Sequence, residues 1–81
     1  MNIYRLDSKQ MDEAFLKGED VLCEAAVAYK DLSSGMMGEG ERIVIALSNG
    51  KKYMGKIKGF EYTLVNEVAV GKLKVIRYPA P

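Results

Sequence analysis

Asn49-Gly50 sits between two stretches of alternating apolar residues, and this dipeptide is the strongest short hairpin signal a sequence offers. Both central residues of a two-residue type I′ turn need positive φ, which Asn and Gly tolerate best. Upstream, Ile43, Ile45 and Leu47 alternate with Val44 and Ala46, as in a strand buried largely on both faces. Downstream, the return strand sets Tyr53 and Ile57 on one face and Lys52, Met54, Lys56 and Lys58 on the other. Gly55 and Gly59 interrupt it, and glycines inside a strand mark bulges or sharp bends. Phe60 to Val70 continues as strand, with a break expected near Asn66-Glu67. Gly71 is then expected to turn the chain, and Lys72 to Tyr78 to form a last strand with Leu73 and Val75 on one face. Pro79 and Pro81 stop the pairing. Residues 41–78 therefore read as a β-meander.

The first half is less regular. After a short extended start at Ile3 to Leu6, Asp7 and Ser8 are N-cap residues, and Gln10 completes a loose capping box with Asp7. Met11, Ala14 and Phe15 lie on one helical face and Gly18 can end the helix, which predicts a helix over about 8–17. Residues 20–32 fit two patterns. As a helix, Val21, Leu22, Ala25, Tyr29 and Leu32 form a stripe; as a strand, Val21, Cys23, Ala25, Val27 and Tyr29 alternate with Leu22, Glu24, Ala26, Ala28 and Lys30. The alanines argue against a strand, while the turn-like Gly18-Glu19-Asp20 and the need of a small sheet for another partner favour one. Residues 33–40 form a Gly-rich loop whose Met36 and Met37 are candidates for contact with a partner. The fold class that follows is α+β: an N-terminal helix on a small, strongly bent antiparallel β-barrel or half-barrel of SH3-like or Sm-like type, in a single domain.

Composition removes several function classes. No apolar run exceeds five residues, too short for a membrane-spanning helix or the apolar stretch of a secretion signal. One cysteine and no histidine leave no basis for an intramolecular disulfide, a common zinc site or a His-based catalytic triad, and no resident metal is expected. Cys23, in an apolar segment, reads as a buried structural thiol. Gly50-x4-Gly55-Lys56 imitates a phosphate-binding loop, but Ile57 occupies the magnesium-holding position and residues 51–54 read as strand. Gly35-x-x-Gly38-x-Gly40 precedes a strand where a phosphate cradle needs a helix N-terminus. The chain is expected to be non-catalytic, free of cofactors, and cytoplasmic.

Charge is unevenly placed. Residues 1–41 carry nine acidic and four basic side chains, and residues 42–81 carry two acidic and eight basic ones. Such a basic half either faces an acidic partner or merely protects strand edges, and local neutralisation by the acidic half would hide it. Lys52, Lys56 and Lys58 share one strand face, close in sequence to Tyr53, Phe60 and Tyr62. Lysines that track a backbone beside an aromatic ring are how small barrels hold single strands.

The run Ile43-x-Ile45-x-Leu47-x-Asn49-Gly50-x4-Gly55-x-Ile57-x-x-Phe60-Glu61 resembles the first motif of the Sm and Sm-like RNA-binding proteins, over about 24 residues. Ile76-Arg77 resembles the start of the second motif, with Tyr78 where that motif has glycine. The resemblance implies an N-terminal helix before a bent five-stranded barrel, protomers joined edge to edge in a homo-oligomer, and binding of single-stranded RNA. It also brings in Asn66, one residue beyond the counterpart of the family's base-contacting asparagine. The candidate nucleic-acid site is thus Lys52, Lys56, Lys58, Tyr62, Asn66 and Arg77. A second reading stays open: a protein-interaction module, a regulator or inhibitor of phage or mobile-element type, working through an edge strand or the Gly/Met loop.

Overall fold

The computed structural model describes residues 3–81. Its elements run β1 (Ile3–Arg5), α1 (Lys9–Leu16), β2 (Val21–Ala28), α2 (Tyr29–Ser33), β3 (Arg42–Ala46), β4 (Lys52–Val65) and β5 (Val68–Arg77). The strands form one sheet in the order β1-β3-β4-β5-β2. Its edge strands β1 and β2 touch, so the sheet curls into a nearly closed barrel.

The inner face comes from residues that alternate along each strand. Val21, Cys23, Ala25 and Val27 of β2, Ile43 and Ile45 of β3, Ile57 of β4, and Ala69, Leu73 and Val75 of β5 are all buried. Ser8 caps α1 by accepting from the Met11 N–H at 3.1 Å. Phe15, on its apolar side, is fully buried and meets Tyr53 edge-on at 6.3 Å. Burial of such a side chain contributes about 1.5–3 kcal/mol, and it plugs the barrel end where α1 lies. Asp12 ties the same helix to the β3–β4 loop: its carboxylate accepts from the Ser48 N–H at 3.0 Å and from the Ser48 hydroxyl.

Four details depart from the reading of the sequence. First, β1 pairs in parallel with β3, so the sheet is mixed rather than antiparallel throughout. The chain crosses to the far edge through α1 and β2 before β3 returns beside β1, and a three-residue strand leaves no periodicity from which to read its direction.

Second, the Asn49-Gly50 hairpin exists, but its turn is not type I′. Only Gly50 has positive φ, at 91°; the Gly50 N–H bonds Leu47 O at 2.9 Å and the Leu47 N–H bonds Lys51 O at 2.8 Å. This is a three-residue loop, a tight turn followed by a left-handed glycine, with Asn49 Oδ1 accepting from the Lys51 N–H at 2.9 Å. The two-residue turn with positive φ at both positions is instead Asn66-Glu67, at 50° and 65°.

Third, Gly71 does not turn the chain but lies within β5, opposite Tyr62. A Cβ there would overlap Glu61 O and stand 2.6 Å from Tyr62 Cα, so its role is close approach of two backbones. Fourth, of the two interrupting glycines only Gly59 adjoins a register shift; pairing through Gly55 is regular. The two-way segment 20–32 resolves into strand followed by a short helix, because its alternate residues find the barrel interior. That helix also takes Ser33, at the head of the expected loop.

Candidate nucleic-acid interface

The register shift in β4 organises the outer surface. Ile57 faces Val75 and Gly59 faces Lys74, which makes Lys58 an extra residue without a partner on β5. Before the bulge, odd-numbered residues of β4 point inward; after it, even-numbered ones do. Lys56 therefore points outward, flanked by Arg42 on β3 and Ile76 on β5. Lys74 and Lys72 point outward from β5, opposite Leu22 and Glu24 of β2. Lys52 lies further along the same face, opposite Ala46.

Tyr78 sits among these cations. Lys56 Nζ lies 4.2 Å and Arg42 Cζ 4.7 Å from its ring centroid, and Arg42 Nη2 donates to its hydroxyl at 3.3 Å. Beyond them Lys58, Lys72 and Lys74 line a cleft of about 390 Å³ together with Leu22, Gly59, Phe60 and Glu61. Among the described residues the one ion pair is Lys72–Glu24, 3.2 Å long and largely exposed. Such a surface pair is worth well under about 1 kcal/mol. The acidic half of the sequence therefore does not neutralise the basic half by contact, and Arg42, Lys52, Lys58 and Lys74 stand exposed on one face.

The structure brings together part of the expected site and separates the rest. Lys52, Lys56 and Lys58 share the outer surface. Tyr62 does not join them, because the bulge turns it to the inner side, where it packs on Phe60 with centroids 5.1 Å apart and stays 43% exposed at the open end of the barrel. Asn66 lies in the β4–β5 turn, eight residues beyond Lys58, or about 25 Å along an extended strand. Arg77 is committed elsewhere: Nη1 donates to Leu16 O at 2.9 Å and its guanidinium stands 5.3 Å from the Tyr53 ring centroid, linking β5 to the end of α1. Of the two loop methionines, Met36 is exposed. Met37 has a left-handed φ of 68° that turns its side chain into the core, where Sδ accepts from the Tyr4 hydroxyl at 3.3 Å. It is a packing residue, and its burial keeps it from a partner.

Arg42, Lys72, Lys74 and Tyr78 belong to the cationic face although the sequence reading does not select them. The lysines are legible in principle, since a strand with Leu73 and Val75 inward must send Lys72 and Lys74 outward. Arg42 and Tyr78 join the group only through pairing across β3, β4 and β5.

Cys23 is buried in the barrel wall, its Sγ 3.7 Å from Leu73 O. Burial pushes its thiol up from 9.0 to about 11, partly opposed by the Lys72 charge. At pH 8 the thiolate fraction falls about 100-fold on that account, so alkylation of the native protein should be slower than that of the urea-unfolded chain by at least this factor. Equal rates in the two states would show that the thiol is accessible. The raised value also sets a sign: the unfolded thiol ionises first, so this group's contribution to stability is intact below about 9 and is lost as the pH climbs towards about 11.

No helix among the described residues is long and apolar enough to cross a membrane, and no cluster of ligating side chains among them could hold a metal ion. Comparison of the chain with family models, with curated proteins and with solved structures finds no match.

Proposed function

We propose that this chain is a non-catalytic cytoplasmic module that binds single-stranded RNA across the outer face of its sheet, in the manner of the Sm-like proteins its hairpin motif resembles. The observation that carries the reading is the band of cations Arg42, Lys56, Lys58 and Lys74, the first two at the Tyr78 ring and the last two along the adjoining cleft, on a face where the acidic half of the chain supplies one ion pair. The cations hold phosphates, and the Tyr78 ring, with Lys56 and Arg42 drawn aside onto the backbone, offers a base a stacking surface. No residue here discriminates bases by a fixed donor–acceptor pattern, so the expected binding is tolerant of sequence.

The test is affinity for a labelled single-stranded oligoribonucleotide measured by fluorescence anisotropy across a salt series. Neutralising four phosphates gives a slope of log affinity against log salt of about −3. A flat response, or no binding at low salt, would remove the reading.

A further inference from the structure

We infer that the distal half of β4 is a dimerisation edge, on which a second copy of this chain pairs antiparallel about a two-fold axis through Tyr62. On one side β4 is paired with β5 along its whole distal length. On the other side β3 covers it only as far as Lys56, and the Gly40 and Glu41 backbone only as far as Ile57. Among the described residues no strand covers the second side of Phe60 to Val65.

Which backbone groups are left open follows from the bonds at the bulge. The Ile57 N–H bonds Glu41 O at 2.9 Å and its carbonyl accepts from Gly40 at 2.8 Å, so odd residues before the bulge address the β3 side. The extra residue at Lys58 reverses this alternation. Phe60, Tyr62 and Leu64 therefore aim their N–H and C=O groups away from β5, into the uncovered side. The usual protections of an exposed edge are absent over residues 59–65: no proline, no lysine, and one charge, Glu61.

Self-complementarity selects the occupant. With Tyr62 on the axis, Phe60 faces Leu64 of the other copy, Glu61 faces Thr63 and Lys58 faces Asn66, so no like charges oppose each other. About six backbone hydrogen bonds form, two at each of the pairs 60–64, 62–62 and 64–60. Phe60, Tyr62 and Leu64 of both copies fall on the same sheet side, which joins Tyr62 and Leu64, 43% and 53% exposed in the single chain, into one apolar cluster. A nucleic acid is the poorer fit, because the edge carries no cation between Gly59 and Val65. The pairing leaves the cationic outer face free and does not depend on RNA binding.

The experiment is solution mass by light scattering and sedimentation from micromolar to submillimolar protein, free of nucleic acid. The mass should rise from 9.0 kDa towards twice that value. Thr63→Glu places like charges opposite Glu61 at two symmetric positions, and Thr63→Lys places opposite ones there. At low salt their dimer dissociation constants should differ at least about 10-fold, lysine tighter. Thr63 is exposed, so both variants should keep the wild-type circular dichroism. A mass fixed at 9.0 kDa throughout, an assembly larger than a dimer, or equal dissociation of the two variants would each overturn the inference.

Discussion

Gly71→Ala should abolish most of the stability of this protein, with a loss on the order of 3–5 kcal/mol. The added methyl would overlap Glu61 O and stand 2.6 Å from Tyr62 Cα, and both obstacles are backbone, which cannot rotate aside as a side chain can. Relief requires β4 and β5 to part where the ribbon bends, at the expense of ladder hydrogen bonds on either side. Gly59→Ala is the matched control. It lies in the adjacent strand with no atom within 4 Å of the added Cβ and no positive φ, so it should change stability by less than about 1 kcal/mol in either direction. Urea unfolding of the two variants followed by circular dichroism checks the pair. A Gly71→Ala protein as stable as the Gly59→Ala protein would mean that the strands do not approach each other closely there.

The triple change Lys56→Glu, Lys58→Glu, Lys74→Glu should weaken RNA binding at least about 100-fold at moderate salt. It should also lower the magnitude of the salt slope by about 2, roughly 0.7 for each phosphate no longer neutralised. The control reverses the same total charge elsewhere: Lys9→Glu, Lys17→Glu, Lys30→Glu, all exposed and carried by α1, its C-cap and α2, not by β3, β4 or β5. If position matters more than net charge, this control should retain affinity within a few-fold. Equal losses in both triples would reduce the interaction to a general attraction between the whole molecule and a polyanion. Of the three positions, Lys56 is the one with a packing role, 4.2 Å from the Tyr78 ring centroid. Circular dichroism of the triple variant separates loss of binding from loss of fold.

The two predictions probe opposite surfaces of one ribbon, and the bulge at Lys58 connects them. Its single extra residue sends Lys56 outward and Phe60 and Tyr62 inward, and it turns the hydrogen-bonding groups of the distal strand towards the uncovered side. A change that removed the bulge would exchange the faces of the whole distal strand. Lys56 and Tyr62, close in sequence, stand on opposite faces of the sheet for this reason.

Much of the molecule can be read from local pattern alone. Ser8, Met11, Phe15 and Gly18 mark α1 to within a residue at each end, because capping and helical periodicity are short-range effects. Ile43, Ile45 and Ile57 mark the inner face of the hairpin, because a strand with one side in the core must alternate. The missing histidine and the single cysteine narrow the available chemistry before any coordinate is considered.

Contacts distant in sequence decided everything else. The fate of residues 20–32 rested on whether the barrel had an edge at β5 to receive them, and β2 found that edge. Glu67 adopts a left-handed φ that its own side chain disfavours, because the registry of β4 with β5 closes there. Gly71 looks like a turn in the sequence since glycine's lack of a side chain serves turns and close backbone approach alike, and only the neighbouring strand tells them apart. Arg42 and Tyr78 stand 36 residues apart and meet only because three strands align. Local propensity is a property of neighbours along the chain, whereas register and sheet order come from burying one shared core, and no short window of residues contains that information.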